Sequence, residues 1–429
     1  MSDLDQRSNS TAGANDQPIE DPEKGIQSGP KSNEVKYQDV TDKSPAPAAA
    51  LPGPGPPPDG GFHAWLTVLG GFCGLFVSFG WINAIGVFQT YYESHQLRNV
   101  SPSTVAWVTS LESFAMFFGS PIFGSLFDSY GPRVILLGGT FFHVFGLMMT
   151  SLSSEYYQFI LAQGICSPFG ASAVFNACVN SVSTWFAKRR AFALGVMAAG
   201  SSLGGVIFPI MVSKLIPQVG FPWTMRICAF LILGMLGICN LTLKSRLTHQ
   251  PKRVKIMSFV RPLKELKFTV TVAAAFFYFW GCFYHLLYSV ELFRGYFADR
   301  FGRYNVMIFF AFFSGILVLA LWLPSRGNAP AIVFSVLYGF GSGAFVSLVP
   351  ALVAQISDLR EVGMRNGTLF CIISFAALTG TPIGGALVPD VLHGSYTKLQ
   401  IFCGVVILVG AVLFVVARII VGGLVWKKV

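Results

Sequence analysis

Two short turns, far apart in the sequence, carry residue types suited to a contact that a protein can make and break. The first is GSLFDSYGPR (124–133) and the second is GYFADRFGRY (295–304), which starts 171 residues later. In each, an aspartate follows a glycine by four residues, and another glycine follows the aspartate by three. A carboxylate accepts charged hydrogen bonds and interacts with the dipole of a helix end, and glycine permits a tight turn. We therefore expect both turns to join neighbouring helix ends.

A gate between two conformations is the function that these turns indicate. The alternative for the aspartate–arginine turns is a static clamp. For the basic run 188–190, the alternative is a determinant of orientation beside lipid headgroups. The predicted gating residues are Gly124, Asp128, Gly131, Arg133, Gly295, Asp299, Gly302, Arg303, Lys188, Arg189 and Arg190.

A second set of residues is suited to binding a solute or a proton. Glu112 lies in the apolar stretch WVTSLESFAMFF, where a carboxylate is costly unless it faces a cavity or takes up a proton. Its alternative is a hydrogen bond to Ser or Thr near the outer mouth. The other candidates have packing, polar contacts between helices or snorkelling as alternatives. The full candidate set for substrate or proton is Asn83, Glu112, Arg226, Tyr278 and Trp280.

Membrane-spanning helices are the elements that must position these residues. The chain has 429 residues, of which 53% are hydrophobic and 12% charged, and its mean hydropathy is +0.59. Apolar runs of about 20 residues recur, enough to cross ~30 Å of hydrocarbon as helix. All eight cysteines lie in such runs without CxxC spacing, and no catalytic, paired-histidine or nucleotide-loop pattern occurs. We therefore expect an all-α membrane protein that is not an enzyme and has no cofactor or metal.

The apolar runs divide the chain into four regions. We predict a disordered tail at 1–61, a six-helix bundle at 62–243, a basic linker at 244–267 and a second, truncated helix bundle at 268–429. The predicted spans are 63–92, 104–127, 134–152, 156–184, 194–216, 224–243, 268–290, 306–323, 330–356, 368–389 and 400–422.

Charge sets the expected orientation. Residues 1–61 carry ten acids and five bases, so the rest of the chain carries the positive excess. That excess falls in short loops, on the tail's side of the membrane in the first half, and needs no nucleic-acid partner. By the positive-inside rule we expect the tail and the linker to be cytoplasmic. We expect the membrane to be the plasma membrane.

The repeated turn after the second span of each half, with a long linker between the halves, is similar to the major facilitator superfamily and its G-x-x-x-D-x-x-G-x-R signature. Further segments resemble the fungal branch of its monocarboxylate-porter-like family, notably PDGGFHAW (58–65) and WFAKRRAFALGVMAAGSSLGG (185–205). The resemblance implies two six-helix bundles and a secondary transporter that works by alternating access. It also implies a lysine in span one, which residues 63–92 lack.

The second half is too short for that pattern. Residues 268–299 must supply spans seven and eight, but 32 residues make only about 48 Å of helix. Two full spans need ~40 residues and a turn. We interpret this as a deletion around spans seven and eight, which leaves about 11 recognisable spans; a compressed pair of half-helices is the alternative.

The expected function is transport of a small organic solute, such as a carboxylate or a fungal metabolite, with protons as a possible second solute. The direction, uptake or export, is left open. The alternative is a non-transporting paralogue or sensor, because a span is missing.

Overall fold

The computed structural model describes residues 57–249, 251, 257–282, 291–325, 327–387 and 396–423. Helices and short turns make up this part of the chain, and it contains no strand. Eight of its continuous helical stretches are long and apolar enough to cross a membrane. The predicted all-α class is therefore confirmed. Residues 1–56 of the predicted tail and residues 283–290 of the predicted span 268–290 lie outside the described residues.

The first half is built from nine helices that begin and end within a few residues of the predicted spans. Ser101 caps one of them by accepting a hydrogen bond from the Thr104 N–H, and Pro102 follows at its first position. The helices are α1 (Phe62–Val77), α2 (Phe79–Ile82), α3 (Ile85–Ser94), α4 (Pro102–Phe118), α5 (Ser120–Tyr130), α6 (Pro132–Thr150), α7 (Tyr156–Phe159), α8 (Ser167–Trp185) and α9 (Arg190–Thr242), with a π-helical turn at Ile160–Cys166.

Helix α9 contains both the fifth and the sixth predicted spans. Its 53 residues are interrupted at Gly220, whose φ of 77° no other residue adopts easily. Pro217 and Pro222 flank the break. The chain therefore turns back at Gly220 although the helix is continuous on either side.

The second half repeats this plan with fewer residues. A short helix and a 3-10 turn in the linker precede it. The helices are α10 (Met257–Val260), the 3-10 turn Arg261–Lys264, α11 (Leu266–Cys282), α12 (Glu291–Phe301), α13 (Arg303–Leu317), the π-helical turn Val318–Trp322, α14 (Asn328–Ser342), α15 (Ala344–Gln355), α16 (Val362–Leu387) and α17 (Thr397–Gly422).

Helices α11 and α12 lie where the family pattern has spans seven and eight, and both are short. They have 17 and 11 residues, or about 26 and 16 Å of helix. The start of α11 and the end of α12 lie at the same end of the bundle, because both lie beside residues that contact the repeated turns. The two helices therefore run in opposite directions.

The two repeated turns each contain a glycine with a positive φ. Gly131 and Gly302 have φ values of 78° and 101°, and each precedes the first residue of the next helix. A side chain at either position would strain the backbone. Helices α4 and α5 of the first half pack against α16 of the second, while α9 packs against α12 and α15.

Candidate functional site

The predicted gating residues meet at one end of the bundle, which we call the motif end and define by Asp128 and Asp299. Asp128 lies near the end of α5 and contacts the second half. Its two carboxylate oxygens accept hydrogen bonds from the main-chain N–H groups of Gly363 and Met364, at 3.1 and 2.7 Å. These N–H groups belong to the first turn of α16, which has no carbonyl partners for them and carries a positive partial charge. We call this contact the Asp128 lock.

Asp299 makes the reciprocal contact. It lies near the end of α12 in the second half and accepts hydrogen bonds from the N–H groups of Ala191 and Phe192, at 3.2 and 2.8 Å. Both N–H groups lie in the first turn of α9 in the first half. Each half thus holds a helix start of the other half through one aspartate. We call this contact, together with Arg303, the Asp299 lock.

The arginines of the two turns differ in their contacts. Arg303 donates to Asp299 at 3.0 and 3.1 Å and also to the carbonyl oxygen of Ala187 across the halves. Its side chain is only 11% exposed. Arg133 is exposed, and within the described part of the chain it forms no ion pair. The two turns thus share the contact of the aspartate with a helix start of the other half and differ in the contact of the arginine.

Glycine permits the close contact behind the Asp128 lock. A Cβ atom on Gly124 would overlap the carbonyl oxygen of Gly363, and one on Gly363 would overlap Gly124 in turn. Helices α5 and α16 therefore approach to backbone contact at this point. Gly295 lies within α12, as its place in the repeat requires.

A third carboxylate, which the sequence pattern did not single out, lies at the same end. Asp59 accepts hydrogen bonds from the N–H groups of Ala187, Lys188 and Arg189, at 2.6, 2.7 and 3.2 Å. The turn before α9 is thus held from both sides, by Asp59 and by the Asp299 lock. The PDGG sequence before the first apolar run contains Asp59 and is part of the family resemblance, but it does not indicate which groups the carboxylate binds.

The three residues of the basic run beside Asp59 differ in exposure. The side chains of Lys188 and Arg189 are exposed, whereas Arg190 is buried and donates to the carbonyl oxygen of Phe186 at 2.9 Å. Lys188 and Arg189 contact the carboxylate of Asp59 through their main-chain N–H groups. Their exposed charges fit a position at a membrane surface.

Polar contacts deeper in the bundle reinforce the motif end. Asn366 donates to Asn180 at 2.9 Å across the halves, and both side chains are buried. Within the second half, Arg365 donates to Glu265 at 3.0 and 2.6 Å. This bond lowers the pKa of Glu265 below its ordinary value.

The candidate proton residue lies inside the first half. Glu112 is buried, and its carboxylate accepts a hydrogen bond from Gln163 at 3.0 Å. Gln163 in turn accepts one from the hydroxyl of Tyr92. The π-helical turn Ile160–Cys166 presents Gln163 to Glu112, and such turns are frequent at functional sites. The carboxylate is therefore held by a hydrogen-bonded series of Tyr92 and Gln163, and not by the Ser or Thr of the alternative interpretation.

The remaining candidates lie apart from one another. The amide of Asn83 packs on Gly205 of α9. Arg226 donates to Ser151 at 3.3 Å and lies 5.1 Å from the ring of Trp223, within the first half.

Two aromatic candidates on α11 pack inside the second half. Tyr278 is buried and shares a hydrogen bond with Ser314 at 3.3 Å, and the ring of Trp280 packs against Phe402. The interface between the halves is met by Phe279 instead, because successive residues of a helix are about 100° apart. The two candidate side chains thus pack within the second half in this conformation, which agrees with the packing alternative.

Comparison with known proteins gives consistent relationships. A family model described as Major Facilitator Superfamily matches residues 70–295 and 290–423. A protein named MFS-type transporter 1, from Ophiocordyceps sp. (strain BCC 1869), is 51% identical over 393 residues, covering 85% of this chain and 87% of that protein. The Fujikurins efflux protein of Gibberella fujikuroi (strain CBS 195.34 / IMI 58289 / NRRL A-6831) is 42% identical over 392 residues, covering 85% and 84%.

A solved structure shares the fold. The crystal structure of the transporter FucP in the outward conformation superposes with a TM-score of 0.59 at 14% identity, covering 82% of this chain and 98% of FucP. At this level of identity the likeness concerns the fold alone.

Proposed function

We propose that this chain, which belongs to the major facilitator superfamily and is a membrane transporter, exports a small organic solute by alternating access. The observation that carries the proposal is the reciprocal pair of locks at the motif end. Each lock is a carboxylate bound to main-chain N–H groups of the opposite half, so it breaks without unfolding a helix. Two halves joined in this way can separate at the motif end as rigid bodies.

The motif end is cytoplasmic in this proposal, and the membrane is the plasma membrane. The exposed side chains of Lys188 and Arg189 at that end support the orientation, because basic loops stay on the cytoplasmic side. The structure then corresponds to a state that is closed towards the cytoplasm.

Export is the direction that the relatives support. The Gibberella fujikuroi relative is named an efflux protein for fujikurins, and it aligns with most of this chain. We assign the chain to the monocarboxylate-porter-like branch on the PDGGFHAW and WFAKRRAF segments. The branch name describes descent, and no monocarboxylate site is implied by it.

A segment of about 28 residues is missing from the second half in our proposal. The alignment with the Ophiocordyceps relative has 393 positions, whereas 85% of 429 residues is about 365 residues. The two family matches meet at 290–295, and the 11 residues of α12 reach about 16 Å, half of the ~30 Å hydrocarbon core. Sequencing of transcripts tests this: a longer form is expected, and an abundant form of only the present length would contradict it.

Access at the motif end is the measurement that tests transport by alternating access. Asn366→Cys, in a chain whose eight native cysteines are replaced, places a thiol behind both locks. In inside-out vesicles we expect an impermeant maleimide to label it slowly and Asp299→Asn to raise the rate. Tyr130→Cys, exposed at the same end, should label fast with or without Asp299→Asn. If Asn366→Cys were labelled at the same rate with and without Asp299→Asn, the chain would not change access at the motif end, which contradicts the proposal.

Glu112 is the proposed proton site. A pH gradient should drive export in proteoliposomes of the native chain, and Glu112→Gln should abolish that dependence, because an amide cannot take up the proton. Glu155→Gln, at an exposed position, is the matched control. An unchanged response to the gradient in Glu112→Gln would exclude Glu112 as the coupling residue.

A further inference from the structure

Six phenylalanines from six helices meet between the two halves at the middle of the bundle. The first half contributes the rings of α2, α4 and α8, and the second half those of α11, α15 and α16. We call this group the phenylalanine cluster. Its members are Phe79, Phe117, Phe175, Phe279, Phe345 and Phe370, with Val346 beside them.

The rings touch across the interface and within each half. Phe117 lies 5.3 Å from Phe279 and 5.7 Å from Phe370, and Phe175 lies 5.0 Å from Phe370, between ring centroids. Within the halves, Phe79 lies 5.0 Å from Phe175, and Phe279 lies 5.1 Å from Phe345. The gap between the rings is too narrow for a water molecule. The cluster is therefore closed in this conformation.

The cluster lies at a middle depth of the bundle, between Glu112 and the Asp128 lock. On the α4–α5 span, Phe117 lies five residues from Glu112 and eleven from Asp128. At 1.5 Å per residue, these separations are about 8 and 17 Å. The cluster thus lies well inside the Asp128 lock, at a depth that both ends of the bundle could reach in turn.

The chemistry of the walls defines what could bind. Of the described residues, the seven that line the space are all apolar. The nearest carboxylate on α4, Glu112, is engaged with Gln163 inside the first half. A charged ligand would lose its water here without an ionic partner, which is strongly unfavourable. A flat aromatic ligand would instead replace ring–ring contacts with its own stacking contacts.

We propose that the phenylalanine cluster is the binding site for the transported molecule, and that this molecule is an uncharged, flat, conjugated compound. It enters by separating the rings of the two halves, so binding and the movement of the halves are coupled. This inference rests on the proposed transport function and specifies its substrate class. A carboxylate as the preferred substrate is excluded by it.

A pair of fluorescent probes tests the substrate class. N-phenyl-1-naphthylamine is uncharged, and 8-anilino-1-naphthalenesulfonate has the same two aromatic groups with an added sulfonate. Binding is measured to the full chain in lipid nanodiscs, with empty nanodiscs subtracted. We expect saturable binding of the uncharged probe, at least about tenfold tighter than that of the anionic probe. Equal or tighter binding of the anionic probe would overturn the proposal.

Substitutions locate the site. Phe117→Leu and Phe175→Leu remove a ring but keep an apolar side chain, and each should weaken binding of the uncharged probe about 3- to 10-fold. Phe117→Tyr keeps the ring and should bind nearly as the native chain does. The control is Phe141→Leu on α6, which removes an exposed ring that is stacked on Phe145 at 5.6 Å. Equal effects at Phe117, Phe175 and Phe141 would overturn the assignment.

The effects of each substitution on folding, on ligand binding and on the change of access are measured in separate experiments. Each variant is first checked by thermal unfolding, and Phe345→Leu on the opposite half replaces any variant that does not fold. The binding assay requires no change of access, whereas the Asn366→Cys labelling requires no ligand. Loss of specific probe binding with normal labelling therefore contradicts the site alone, and normal binding with invariant labelling contradicts the transport proposal alone.

Discussion

The two locks at the motif end use the same turn and differ in what surrounds the aspartate. Asp128 and Asp299 each accept hydrogen bonds from two main-chain N–H groups at a helix start of the other half. Asp299 also has Arg303 beside it, nearly buried, whereas Arg133 at the matching turn is exposed. At the turn that contains Asp128, a histidine from the linker lies nearby. The Nδ1 atom of His249 is 3.3 Å from the main-chain carbonyl oxygen of Asp128.

This difference indicates that the repeated motif encodes the acceptor and the turn, while the surroundings set the strength of each lock. The main-chain donors are equivalent in the two halves, so their contribution should be similar. Arg303 adds an ion pair to the Asp299 lock that Arg133 does not supply at the matching turn, so we expect the Asp299 lock to be the stronger one. Because the linker histidine contacts the Asp128 turn, we expect the Asp128 lock to be the one that responds to pH.

Replacing each aspartate should give the largest effect and the clearest contrast. Asp299→Asn leaves the guanidinium of Arg303 buried without a carboxylate, and we expect it to weaken closure of the motif end by about 4 kcal/mol. Asp128→Asn should cost about 2 kcal/mol, the order of a charge-assisted hydrogen bond. In labelling of Asn366→Cys these values correspond to rate increases of about 700-fold and about 30-fold. A larger effect at Asp128 would reverse the comparison.

Replacing the arginines tests the same contrast from the other partner. Arg303→Gln should weaken closure by about 2 kcal/mol, because it removes the ion pair but leaves the N–H contacts of Asp299. Arg133→Gln should change closure by less than about 0.5 kcal/mol, since the side chain is exposed. The rates of Asn366→Cys labelling in the two variants measure both. Equal rates would show that Arg133 contributes in a way that this conformation does not display.

Mild acid should give the smallest effect, and only at the Asp128 lock. Burial lowers the pKa of His249 below its ordinary value, so the closed protein favours the neutral ring. The stability that this ring contributes is present above its ordinary pKa and declines as the pH falls below it. We expect the labelling rate of Asn366→Cys, divided by that of the exposed Tyr130→Cys at the same pH, to rise about two- to threefold between pH 7.5 and pH 5.5. The division removes the loss of thiolate at lower pH, and the rise should vanish in His249→Gln. A rise that persists in His249→Gln would assign the response to another group.

Much of the fold could be predicted because it depends on local patterns. Apolar length gives the spans, and the glycine spacing gives the two turns, as the positive φ values of Gly131 and Gly302 illustrate. The partners of the aspartates could not be predicted in this way. Their donors are main-chain N–H groups of Gly363, Met364, Ala191 and Phe192, and a main-chain N–H is present at almost every position of any sequence.

The sequence by itself determined an all-helical membrane chain, an internal repeat and the positions of the carboxylates at its turns, because these follow from hydrophobic length and residue type. The tertiary structure alone decided which helix start each carboxylate meets, that Phe279 and not Tyr278 faces the interface, and that six phenylalanines distant in sequence form one cluster. Such contacts depend on how helices pack and on which side of each helix faces the interface. A shift of one residue rotates a side chain by about 100° and changes its neighbours.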